Sequence, residues 1–125
     1  MLICDKKRLE DKIITFSKFG ATENGGITRL SLSKPALEAR AEFSKRMNKL
    51  GGATITTDDM GNMYATFNGS EENLPHIAMG SHCDSVVQGG NYDGILGVLT
   101  AMEVAETIVT EKIPPSPSNY SYDLD

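Results

Sequence analysis

The sequence predicts an α/β fold with about three helices and three strands. Three observations predict it. Three stretches carry apolar residues at the three- and four-residue spacing of an amphipathic helix. Between the second and third of these lie short segments with the β-favouring residues Thr, Tyr, Phe and Ile. Glycine pairs and an Asn-Gly step mark where the chain must turn.

The first helix is expected over residues 6–19. Asp5 precedes it, and its short carboxylate can accept from the free amides of the first turn. Leu9, Ile13 and Phe16 form one apolar stripe, and Gly20 is a natural stop. Residues 21–32 are rich in glycine and threonine, with Asn24-Gly25-Gly26 as a turn. The second helix is expected after Ser33, with Pro35 in its first turn, where a missing amide does no harm. Its buried side is read as Leu37, Phe43, Met47 and Leu50, and Gly51-Gly52 ends it.

Strands are expected at 53–57 and 63–67, joined by a turn at 59–62, and Pro75 to Met79 reads as a third, buried strand. The third helix runs from about Gly94 to Lys112. Ile95, Val98, Leu99, Met102, Ala105, Ile108 and Val109 make it apolar over a wide face, so it should be well buried. From Pro114 to Asp125, three prolines and three serines break regular structure. Residues 1–112 are therefore read as the structured domain and 113–125 as a disordered tail.

The chain has 125 residues and a formal charge of −5. That balance argues against nucleic acid as a partner, which needs clustered Lys and Arg. No stretch approaches the roughly 18 apolar residues of a membrane span, so no membrane partner is expected. Charges crowd the first twelve residues, where a signal peptide needs an apolar run. Cys4 and Cys83 read as free thiols of a reducing compartment, which makes the expected location cytoplasmic.

The chemistry concentrates in residues 80–98, GSHCDSVVQGGNYDGILGV, where a strand meets a loop and the loop meets a helix. Residues two apart in an extended segment point to the same side. Asp84 can therefore accept from one ring nitrogen of His82 and leave the other for a metal. Alone, a histidine near a strand end is more often structural. Asp93 precedes the third helix and has two readings: a cap on that helix, or a carboxylate bridging two metal ions. Gly89, Gly90, Gly94 and Gly97 would allow a close approach of backbone. Adjacent residues in a strand face opposite ways, so Cys83 reads as a buried small hydrophobe and not as a nucleophile paired with His82. His76 reads as a core or surface imidazole. The glycine loop lacks the Gly-Lys-Ser/Thr of a phosphate loop, and a calcium-loop reading fails at its first and last ligand positions.

Residues 80–86 and 89–98 together resemble the metal-binding signature of the N-carbamoyl-L-amino-acid hydrolase and allantoate amidohydrolase (hydantoinase/carbamoylase) family of dinuclear zinc amidohydrolases. Gly20-Ala21-Thr22, the segment Gly25-Gly26-Ile27-Thr28-Arg29-Leu30, Glu38-Ala39-Arg40, Met47 and Asp59-x-Gly61-Asn62-Met63 extend the resemblance to about Lys112. The resemblance implies the N-terminal part of a three-layer, zinc-peptidase-like catalytic domain. It implies His82 and Asp93 as metal ligands, with Asp93 bridging, and Asp84 as the catalytic carboxylate that orients the histidine. The implied cofactors are two divalent ions, zinc or manganese. The implied reaction is attack of metal-activated water on a carbamoyl or ureido carbon of a small molecule, in a homodimeric enzyme.

The sequence departs from that pattern after Glu111. The family's glutamate pair follows the next strand; here the proline-serine stretch is read in its place, and the dimerisation domain is expected to be absent. A catalytic zinc needs about three protein ligands. Two are present, so one weak site at most is expected, in a truncated and inactive piece. The alternatives are a non-catalytic remnant or interaction module, and a peptidase or deacylase of the wider dinuclear group. With the next strand missing, an exposed sheet edge and poor solubility are expected.

Overall fold

The computed structural model describes residues 2–69 and 74–113, and the backbone of 120–124. The elements are α1 (Lys6–Phe16), α2 (Lys34–Leu50), β1 (Ala53–Thr57), β2 (Met63–Phe67), β3 (Ile77–Ser81), α3 (Ile95–Thr110) and β4 (Tyr120–Leu124). The sheet order is β1-β2-β4-β3. β1 and β4 each pair antiparallel with β2, and β3 pairs parallel with β4. β3, α3 and β4 thus form a β-α-β unit, the connection that parallel strands require.

Local chemistry explains most boundaries. Asp5 caps α1, accepting from the amides of Lys7 and Arg8 at 2.8 and 3.1 Å. The helix closes at Phe16, and a turn carries the chain to Gly20. Pro35 sits in the first turn of α2, and Gly51 ends it at φ +80°. Asp58 shapes the β1–β2 turn, accepting from the amides of Met60 and Asn62 at 3.0 and 2.9 Å.

The core lies between the sheet and the three helices. Phe16 from α1, Ala39, Phe43 and Met47 from α2, Ala65 and Phe67 from β2, and Val98, Leu99 and Met102 from α3 form one buried cluster. Each large apolar side chain so buried contributes about 1.5–3 kcal/mol. The opposite face of the sheet carries exposed Thr54, Thr56, Ala78 and Gly80. The described residues thus form two layers of the expected three.

One buried ionic cluster pins α1 to α3. Lys12 and Glu103 are both 1% exposed. Lys12 Nζ lies 2.7 Å from Glu103 Oε2 and 2.7 Å from Glu106 Oε2. Arg8 donates to Glu103 at 2.7 Å and to Thr107 Oγ1 at 2.8 Å. The amide of Asp5 also donates to Glu103.

Four expectations need correction. The reading of 113–125 as a disordered tail fails at its end, because Tyr120–Leu124 forms β4 in the interior of the sheet. The prolines and serines of 114–118 dominated that reading, while Tyr120 and Tyr122 alternate as a strand requires. Residues 114–119 lie outside the described residues. The strand thought missing is therefore present. The free edges are β1 and β3. Second, β3 begins at Ile77, later than expected, and is not buried: Ile77 is 43% exposed, because no element among the described residues covers the outer edge. Third, Leu37 is 54% exposed. Ala36, Ala39, Phe43 and Met47 make the buried stripe of α2, and Leu37 lies a third of a turn away from it. Fourth, α1 ends at Phe16, short of residue 19.

Candidate functional site

The site lies at the carboxyl end of β3. Ser81 closes the strand, residues 82–93 form a loop, and α3 begins at Ile95. Leu124 pairs with Ser81, so the carboxyl end of β4 stands beside the same mouth.

A strap formed by residues 20–29 holds the loop from the other side. Ile27 and Gly89 exchange both backbone hydrogen bonds, at 2.9 and 2.8 Å. The amide of Ser85 donates to the Arg29 carbonyl at 2.8 Å, and Ser85 Oγ accepts from the Arg29 amide at 2.9 Å. Gly20 makes the strap possible. At φ +85° its missing Cβ would fall 2.4 Å from the Thr28 carbonyl oxygen.

The structure brings together the three residues singled out in the sequence. His82 Nδ1 lies 3.0 Å from Asp84 Oδ1 and 3.2 Å from the Asp84 carbonyl oxygen. Both are acceptors, so Nδ1 carries the proton and Nε2 presents its lone pair. That lone pair faces Asp93 Oδ2 at 3.9 Å. The side chains of His82 and Asp84 are each 43% exposed and that of Asp93 is 75% exposed. Neither carboxylate forms an ion pair with a Lys or Arg among the described residues, although the charge of buried Arg29 reaches Asp84.

Asp93 does not cap α3. Gly94 holds the N-cap position, and no side chain bonds the first-turn amides. Gly94 is required there for another reason. At φ +68° its Cβ would stand 2.3 Å from His82 Cε1, so the imidazole lies directly on the backbone that opens the helix. Gly97 similarly lets α3 close onto β3, since a Cβ would meet that of Ser81 at 2.7 Å. Gly90, by contrast, has open space where a side chain would go.

The donor set fits a divalent cation in part. Zinc bonds to imidazole nitrogen and carboxylate oxygen sum to about 4.2 Å, and the 3.9 Å between His82 Nε2 and Asp93 Oδ2 lies within that reach. Among the described residues, no group of three or more His, Cys, Asp or Glu side chains could share one ion. Cys83 does not add a third donor. It is 3% exposed within the core, and burial pushes its thiol up, away from the thiolate. His76 is exposed ahead of β3.

Sequence reasoning missed the buried basic residue behind the site. Arg29 entered only as one letter of the glycine-threonine segment, yet it is 2% exposed and bonds to the loop. A lone arginine among Gly, Ile and Thr was the available signal.

Over 103 residues, 82% of the chain, it is 39% identical to the N-carbamoyl-L-amino-acid amidohydrolase of Pseudomonas sp. (strain NS671). A crystal structure of a hydantoinase/carbamoylase family amidase from Burkholderia ambifaria superposes with a TM-score of 0.94 at 29% identity, over 99% of this chain and 30% of that one. The chain belongs to the hydantoinase/carbamoylase amidase family. A further member of this amidase group, allantoate amidohydrolase of Escherichia coli (strain K12), is 39% identical over 106 residues, 85% of the chain. The chain spans about a quarter of the length of these two curated relatives, 25% and 26%. No protein-family model matches it. No helix among the described residues is long and apolar enough to cross a membrane.

Proposed function

We propose that this chain supplies His82 and Asp93 as ligands of a divalent-metal centre in an amidohydrolase that cleaves carbon–nitrogen bonds other than peptide bonds. The observation that carries the proposal is the pairing of His82 Nε2 with Asp93 Oδ2 at 3.9 Å while Asp84 holds the other ring nitrogen. The metal, zinc or manganese, would polarise a carbamoyl or ureido carbonyl and activate water. Asp93 would bridge two such ions in the complete enzyme. Asp84 fixes the His82 tautomer and raises the basicity of Nε2. Gly94 keeps the ring seated.

With two donors among its described residues, the chain alone holds one weak metal site at most and turns over no substrate. β4 runs parallel to β3 with Leu124 opposite Ser81. The carboxyl end of β4 therefore stands at the mouth beside His82, where the reaction needs a general base. The substrate class is a small carbamoyl or ureido compound, such as an N-carbamoyl amino acid or allantoate, and the complete enzyme is a homodimer.

A chimera tests this. The chain would replace the matching quarter of the Pseudomonas enzyme, and release of the free amino acid from N-carbamoyl amino acids would be followed with zinc or manganese present. Metal-dependent turnover that His82→Ala and Asp93→Asn abolish is expected. A soluble, folded chimera without turnover, or one indifferent to both substitutions, would refute it.

A further inference from the structure

We propose that Arg29 is a positioning residue: it clamps the peptide between Cys83 and Asp84 to the carboxyl end of α1, and so holds His82 and Asp84 in their hydrogen-bonded pose. The inference rests on the reading of His82 as a metal ligand.

Three features support it. Arg29 is 2% exposed and forms no ion pair among the described residues. A cation so buried is costly: burial lowers the pKa of this guanidinium, and the charge of nearby Asp84 offsets only part of that. A neutral side chain would have been the cheaper filling, so the charge needs a reason. Carbonyl oxygens supply its compensation. Nη1 donates to the carbonyls of Phe16 and Phe19 at 2.9 Å each, at and just beyond the end of α1, where the helix dipole is negative.

Nε turns the other way and donates to the Cys83 carbonyl at 2.7 Å. That carbonyl belongs to the peptide between the two residues that matter, so holding it sets the rotation that brings the Asp84 carboxylate under His82 Nδ1. The backbone of Arg29 grips the next residue, Ser85, through both its amide and its carbonyl. One residue thus fixes positions 83 and 85 on either side of Asp84. A planar guanidinium spans two acceptor groups in fixed directions; an ammonium offers one point of charge.

The test uses the 125-residue chain without metal. The chain has two histidines, so the ring nitrogens of His82 can be assigned against a His76→Gln variant by long-range 15N–1H correlation. Wild type should show one tautomer, protonated at Nδ1. Arg29→Lys and Arg29→Met should show mixed tautomers, with zinc affinity down about tenfold or more. Ser85→Ala, a smaller change, should move the tautomer in the same direction. Lys12→Met removes a buried cation far from the loop and should lower stability without moving the tautomer. Folded Arg29 variants that keep the single tautomer would overturn the proposal. So would Arg29 variants that merely unfold while Ser85→Ala leaves the ring unchanged. If zinc binding proves independent of His82 in wild type, the metal reading fails, and the tautomer comparison still decides the role of Arg29.

Discussion

Two ionic clusters involve α3, and they are built on opposite rules. Midway along the helix, Glu103 is 1% exposed and receives donors from Arg8, Lys12, Thr107 and the Asp5 amide. At the head of the helix, His82, Asp84 and Asp93 form one hydrogen-bonded pair and leave a ring nitrogen and a carboxylate unused, with Asp93 75% exposed. Lys12 and Glu103 are among the charged groups removed from water, and each finds a partner. The second cluster stays wet and keeps coordination capacity in hand. Saturated, buried charge marks structure. Unsaturated charge at a strand end is what the proposed metal site requires.

The strongest way to break this contrast is Glu103→Ala. It would leave Lys12 with Glu106 as its one carboxylate partner and should cost about 1.5–3 kcal/mol in urea unfolding, while the zinc affinity of the folded fraction stays within about twofold. A comparable loss of affinity would show that the two clusters are not separate.

Acid should reach the same cluster by another route. Burial pushes the Glu103 carboxyl up, but hydrogen bonds from Arg8 and Lys12 outweigh it and hold it at about 2, against an ordinary value of 4.5. The unfolded chain therefore takes up this proton first. The stabilisation is whole above pH 4.5 and is lost as pH falls toward 2, by about 3 kcal/mol in all. Unfolding followed by circular dichroism across that window should show the loss in wild type and not in Glu103→Gln.

Asp84→Ala should act on the other side of the contrast. Unfolding should change by about 0.5 kcal/mol or less, since the carboxylate is half exposed. Zinc affinity should fall about 10- to 100-fold by calorimetric titration. The smallest effect belongs to the exposed i,i+4 pair Lys6–Glu10, where the side chains are 89% and 56% exposed. Lys6→Ala should leave the unfolding midpoint almost unmoved, because exposed pairs contribute about 0–1 kcal/mol.

The parts of the fold that could be read in the sequence are those fixed by neighbours along the chain. β1 and β2 fall where their β-favouring residues lie, and the Asp5 cap and the Pro35 start were visible because caps and turns are local. The closeness of His82, Asp84 and Asp93 was legible for the same reason, all three lying within one loop; their proposed roles came from the family resemblance. β4 was lost because the proline-serine stretch before it coloured the whole segment, and its place depends on partners more than 40 residues away. The buried charges were invisible because what permits their burial is distant: Lys12 meets Glu103 across 91 residues, and Arg29 meets Cys83 across 54. Periodicity assigns lysine and arginine to the outside, and only tertiary contacts reverse that.

Calorimetric titration of zinc and manganese into the purified chain, beside His82→Ala and Asp93→Asn, tests the central claim most directly. The account predicts weak one-to-one binding that each substitution reduces at least about tenfold without changing the unfolding midpoint. Binding that survives both substitutions would contradict it.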